Sequence, residues 1–93
     1  MVIGSVRFEL LIYDAQSLKE KRSVLKSVRT RLQQKYNLSV AEIGYQDVWQ
    51  RAELAIVTVS KNQTICEREL QRALAFVDAE PAVERTVTRF EWL

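Results

Sequence analysis

The 93-residue sequence contains no histidine, and it has only one cysteine, one proline and two glycines. Without histidine, the chain lacks the commonest general base and the commonest zinc ligand. A single cysteine, Cys66, forms neither an internal disulfide nor a thiolate metal cluster. No glycine-rich loop is present to cradle a phosphate group. We therefore expect no enzymatic activity, no bound metal and no cofactor.

Long hydrophobic runs are also absent. No stretch of about 18 apolar residues occurs, so we predict that the chain does not enter a membrane. Arg7 and Glu9 interrupt the apolar N-terminal residues, which predicts a strand there and not a signal peptide. With 47% hydrophobic and 28% charged residues, the composition is typical of a globular protein. These features predict a single cytoplasmic domain over residues 1–93.

Positive charge is concentrated in one segment, residues 17–35. This segment holds seven basic residues and one acid, a net charge of +6, whereas the whole chain carries only +2. The rest of the chain is therefore net acidic. A localised positive field of this kind is typical of a site for a polyanion.

The periodicity of apolar residues predicts six elements in the order β-α-β-β-α-β. Strand patterns cover residues 2–12, 38–45, 52–60 and 83–93. The first helix begins at Ser17, which forms a capping box with Glu20, and the second begins at Asn62 or Thr64. This order is that of the ferredoxin-like α+β fold, a four-stranded antiparallel sheet with two helices on one face.

The other face of such a sheet carries no helix, and we call it the open face. An open face is solvated, binds a ligand or packs against another subunit. We expect it to carry the following residues, or the opposite set if the register is reversed: Arg7, Glu9, Leu11, Glu53, Ala55, Val57 and Val59.

The first helix has an apolar stripe with a basic stripe beside it. At about 100° per residue, the apolar arc contains Leu18, Val24, Leu25, Val28, Leu32 and Tyr36. A narrow neighbouring arc, here called the basic arc, contains Lys19, Arg22, Lys26 and Arg29. We interpret the basic arc, with Lys21 at the N-terminal end of the helix, as candidate contacts to RNA phosphates. Like charges at these spacings repel one another, and a bound anion would compensate; the alternative is an ordinary solvated face.

The loop between the second and third strands contains a second candidate site. Asp47, Trp49 and Arg51 are interpreted there as residues of an interaction loop. The alternative is a structural loop, in which Trp49 packs on the core and Arg51 pairs with Glu53 or Asp47.

Two stretches of the chain match familiar signature blocks. The first is SLKEKRSVLKS at residues 17–27, and the second combines SVAE at 39–42 with QDVWQRAEL at 46–54. They resemble the signatures of a small bacterial family of unknown function, the YlxP-like family, over essentially the whole chain. The resemblance implies a ferredoxin-like fold. It also implies a ribosome-linked role, because the family's genes commonly lie beside genes for translation initiation and ribosome maturation factors. It implies no catalytic residue.

Two functional hypotheses follow from the sequence. The first is a non-enzymatic cytoplasmic protein that binds ribosomal RNA or a ribosomal subunit through the basic arc. The second is an interaction module whose open face forms a homodimer or binds a protein partner. An acylphosphatase-like hydrolase, a third possibility on this fold, would need an anion-binding turn, whereas residues 13–16 are acidic and contain no glycine.

Overall fold

A computed structural model describes all 93 residues of the chain. Its elements are β1 (Val2–Leu11), α1 (Leu18–Lys35), β2 (Ser39–Gly44), β3 (Arg51–Ser60), α2 (Gln63–Asp78) and β4 (Glu84–Trp92). The strands form one antiparallel sheet in the order β2-β3-β1-β4. This is the ferredoxin-like arrangement, so the predicted fold class is confirmed.

The core lies between the helices and one face of the sheet. Along β1, Val6, Phe8 and Leu10 are at most 1% exposed, and the residues between them point to the open face. The helices contribute a matching set of buried side chains to the same cluster of 15 residues: Leu25, Val28 and Leu32 from α1, and Leu70, Ala73, Leu74 and Val77 from α2. The register therefore places the predicted residues, and not the opposite set, on the open face.

Side chains at the first turn of each helix satisfy free backbone N–H groups. Ser17 Oγ accepts a hydrogen bond from the Glu20 N–H at 3.1 Å. The Glu20 carboxylate accepts from the N–H of Gln16, one residue earlier than the predicted capping box requires. Asn62 caps α2 by accepting from the Ile65 N–H at 2.9 Å, and Thr64 lies inside the helix.

A bulge between β1 and β4 changes which side chains of β4 face the helices. The register shifts between Phe8 and Leu10, so that Arg85 lies opposite Leu10. Arg85 therefore reaches α2 and binds Asp78. Strict alternation along β4 would place Arg85 on the same face as Arg89, whereas the bulge places the two residues on opposite faces.

Gly4 allows β1 to approach two bulky neighbours. A Cβ atom at this position would lie 2.6 Å from Cys66 Sγ and 2.6 Å from the ring of Trp92. Cys66 is fully buried, on the same side of α2 as Leu70 and Ala73. Glycine is needed here for close packing and not for an unusual backbone angle.

Neither helix combines the length and the apolar composition that a bilayer-crossing helix requires.

Candidate nucleic-acid interface

A crevice of about 350 Å³ lies between α1 and the edge strand β2. Three residues of the basic arc line it, namely Arg22, Lys26 and Arg29. Leu25 and Thr30 of α1 and Glu42 of β2 complete its wall. The structure thus brings three predicted cations together in one concave surface.

The fourth member of the basic arc, Lys19, lies about one helical turn before Arg22 and does not line the crevice. Lys19, Arg22 and Lys26 are exposed, and Arg29 is half-buried. The cationic surface therefore extends from the crevice along the outside of α1 towards its first turn.

The basic arc differs from the other cations of α1 in having neither an acidic partner nor an aromatic ring beneath it. Lys21 forms an ion pair with Glu42 at 3.1 Å, and Arg31 forms one with Glu80 at 2.6 Å. Lys35 lies over the ring of Phe76, with its ammonium 5.5 Å from the ring centre. None of the four residues of the basic arc has a carboxylate within 4.0 Å. Their positive charges are therefore free to interact with solvent or with a bound anion.

Lys21 is not part of the exposed surface, and its predicted role is corrected. Its side chain is 1% exposed, and its ammonium lies 3.1 Å from Glu42 Oε2 without forming a hydrogen bond to that atom. The ammonium donates to the backbone oxygen of Tyr45 at 2.5 Å. Tyr45 has a positive φ of 59°, so Lys21 supports a strained turn at the end of β2. A phosphate cannot reach this ammonium without local unfolding.

The predicted interaction loop lies at the end of the sheet where β2 turns into β3. Asp47 is exposed and Trp49 is 51% exposed, so the tryptophan is not packed in the core. Arg51 pairs with Glu9 at 2.6 Å, and not with Glu53 or Asp47. Its guanidinium carbon lies 4.2 Å from the centre of the Tyr45 ring. The hydrogen bond from Arg51 to Glu9 raises the pKa of Arg51 above its ordinary value.

Gln50 is a structural residue that the sequence reasoning missed. Its side-chain amide donates to the backbone oxygens of Tyr13 at 3.0 Å and Ala15 at 3.1 Å. Its backbone oxygen accepts from the Ile12 N–H at 2.9 Å. Gln50 therefore ties the loop before α1 to the β2–β3 loop. No periodic pattern marks such a residue, because its partners are backbone groups 35 or more residues away in sequence.

The fold and the site together define a small ferredoxin-like α+β protein whose first helix carries an unpaired basic arc beside an edge strand. The chain belongs to the family described as Protein of unknown function (DUF503), whose model matches residues 3–90. It is similar to the Uncharacterized protein YlxP of Bacillus subtilis (strain 168), with 56% identity over 91 residues. The match covers 98% of this chain and 99% of that protein. The resemblance seen in the sequence is thereby confirmed.

Proposed function

We propose that this protein is a non-enzymatic cytoplasmic factor that binds the phosphate backbone of structured RNA through the basic arc. The observation that carries the proposal is the absence of any carboxylate within 4.0 Å of Lys19, Arg22, Lys26 and Arg29. Placing four uncompensated cations on one arc of a helix is unfavourable. A polyanion bound along the arc would remove that cost.

The crevice favours a backbone ligand over a base-specific one. Its three cations are long, flexible side chains that surround a space of about 350 Å³, and no aromatic ring lines it. Contacts of this type depend strongly on salt and carry little sequence preference. A-form RNA is recognised largely through its shape and its backbone, so ribosomal RNA is the target that we propose.

A matched pair of variants tests RNA binding. Arg22→Glu/Lys26→Glu reverses two charges in the crevice, and Arg68→Glu/Arg72→Glu reverses two exposed charges on α2. Both variants have the same net charge. We expect the first to lower affinity for a fluorescein-labelled RNA hairpin by at least about tenfold at low salt, and the second to change it little, as measured by fluorescence anisotropy. Equal losses in the two variants, or no binding by the wild type at low salt, would contradict the proposal.

Ribosome association is a finer part of the same proposal and needs its own measurement. We expect the wild-type protein to co-sediment with ribosomal subunits in cell extract at low salt. The crevice variant should remain at the top of the gradient, whereas the α2 variant should sediment with the wild type. Binding to the RNA hairpin without co-sedimentation would leave RNA as the ligand and remove the ribosome as the target.

A second candidate function is homodimerisation through the open face. Apolar side chains are half exposed on this face: Val57 is 41%, Val59 46% and Val87 51% exposed. Several exposed apolar side chains on one uncovered sheet face are typical of a protein–protein interface. We expect a dimer in analytical sedimentation at high micromolar concentration, and a monomer there would contradict this candidate. The two functions are compatible, because α1 lies on the other side of the sheet.

A further inference from the structure

The open face has its charges arranged in two adjacent rows that run across the strands. Arg7 of β1 lies directly opposite Arg89 of β4, which makes a basic row. Two residues further along β1, Glu9 lies directly opposite Glu53 of β3, which makes an acidic row. Like charges in directly opposed positions destabilise a sheet, and both rows contain such a pair.

The charges of these rows are only partly neutralised within the chain. Arg51 pairs with Glu9 at 2.6 Å, but Glu53 has no basic group within 4.0 Å. Neither Arg7 nor Arg89 has a carboxylate within that distance. The isolated chain thus leaves Arg7, Arg89 and Glu53 without an ionic partner.

We propose that the open face packs against a second copy of this chain, about a two-fold axis that lies between the two rows and crosses the strands at right angles. This inference rests on the proposed homodimer and specifies its geometry. Rotation about this axis reverses the strand direction and keeps each strand over its own equivalent. Arg7 of each copy then lies over Glu9 of the other, whereas Arg89 and Glu53 lie over other positions of their own strands. The contact is isologous, as a two-fold dimer requires.

The charges also argue against a two-fold axis that lies in the plane of the sheet and runs parallel to the strands. An axis parallel to the strands, between β1 and β3, would place Glu9 of one copy over Glu53 of the other. The two-fold axis would create this contact twice, and each would bring two carboxylates together at the centre of the interface, where burial makes repulsion costly. The crossing axis is therefore the favoured one.

Apolar residues extend the contact at one end of the sheet. Ile3 and Val59 are directly opposed beyond the basic row, and Leu93 exchanges backbone hydrogen bonds with Ile3. In the proposed arrangement, this apolar end lies over the second copy's far end, where Leu11 and the 62%-exposed Tyr13 follow the acidic row.

The size of the face is sufficient for a stable dimer. Strands of ten, six, ten and nine residues, about 4.8 Å apart, cover roughly 550 Å² on each copy. Two such faces bury about 1,100 Å², which is slightly more than the about 1,000 Å² that a biological interface needs.

A pair of charge-reversal variants tests the geometry of the dimer. Arg7→Glu places a carboxylate opposite Arg89 and so improves a cross-strand pair within its own chain. Glu9→Arg places a guanidinium opposite Glu53 but removes the Glu9–Arg51 ion pair, so its folding is checked by circular dichroism before sedimentation. In a dimer of either variant alone, residues 7 and 9 carry the same charge. They would face each other at two symmetry-related places. A mixture of the two would bring only opposite charges together at these positions.

We expect each variant alone to dimerise at least about tenfold more weakly than the wild type in sedimentation, and the equimolar mixture to form a heterodimer visible by native mass spectrometry. Arg72→Glu, on the exposed surface of α2, should leave the dimer intact. A wild-type dimer that Arg7→Glu does not weaken, or two monomeric variants that do not associate when mixed, would overturn the geometry and leave the homodimer standing. A monomeric wild type would instead overturn the proposed homodimer itself.

Discussion

A lysine can occupy the core-facing stripe of a helix when the fold supplies its partners. Lys21 precedes Leu25, Val28 and Leu32 at spacings of four, three and four residues, which is the spacing of the buried side of α1. The helical spacing therefore indicated that Lys21 lies on the buried side of α1. Its charge led to the opposite prediction, because a buried lysine is rare unless it is paired. The carboxylate that pairs with it is 21 residues away, on another element.

We predict that Lys21→Met lowers the free energy of unfolding by about 2–4 kcal/mol. The change removes the only cation within 4.0 Å of Glu42 and the donor to the Tyr45 backbone oxygen, so a largely buried carboxylate loses its partner. Urea unfolding followed by circular dichroism measures the effect. Lys19→Met, on the exposed side of the same turn, should change stability by less than about 0.5 kcal/mol.

The double variant Lys21→Met/Glu42→Met separates pairing from packing. Because replacing both ions of a buried pair is often close to neutral, the second change should recover much of the loss. A double variant as unstable as the sum of the single variants would show that the two groups do not interact.

Among the elements, the helices were predicted better than the last strand. Ser17 marks where α1 starts, Pro81 cannot continue α2 beyond Asp78, and helical spacing placed the buried apolar residues of α1 on the correct arc. The alternation of β4 failed at the bulge, because a register shift depends on the partner strand and not on β4 itself. The contact of Arg85 with Asp78 follows from that shift.

The ion pair between β4 and α2 predicts a pH dependence of stability. Arg85 donates two hydrogen bonds of 2.8 Å to the carboxylate of Asp78, and these lower the pKa of Asp78 below its ordinary value of 3.8. Since the pKa is lower in the folded state, the stabilisation is present above the unfolded-state pKa. It is lost as the pH falls through the folded-state pKa.

We therefore expect Asp78→Asn to lower the free energy of unfolding by less than about 1 kcal/mol near pH 7, because the Asp78 side chain is 48% exposed and solvent screens the pair. The difference from the wild type should shrink in urea titrations at pH values below 3.8. Glu67→Gln, an exposed change on the same helix, serves as the control. A difference that stays constant with pH would mean that the carboxylate charge contributes nothing.

At the scale of the whole molecule, the sheet separates the two proposed surfaces. The basic arc lies on α1, and the open face lies on the opposite side of the sheet. A dimer joined through the open faces would present two basic arcs on its outer surfaces. An RNA long enough to contact both would bind through two sites, with the second contact made at a high effective concentration.

Arg7→Glu should thus have different effects on long and short RNA. We expect at least about a tenfold loss of affinity for a ribosomal RNA fragment of several hundred nucleotides, because the monomer offers one arc only. Affinity for a short hairpin that occupies a single arc should be unchanged in anisotropy measurements. Equal losses for both RNAs would indicate that Arg7 contacts RNA directly.

The sequence by itself determined the element order, the capped helix with its apolar and basic arcs, and the two alternating sets of strand residues, one of which forms the open face, because these depend on local periodicity and on short-range capping. Only the tertiary structure decided that Lys21 is buried, that Arg51 pairs with Glu9, that Gln50 joins two loops and that like charges are aligned across the sheet. Each of these depends on register or on contacts between residues distant in the chain. Periodicity shows which side chains share a face, whereas the tertiary structure decides which face is covered and which side chain each one meets there.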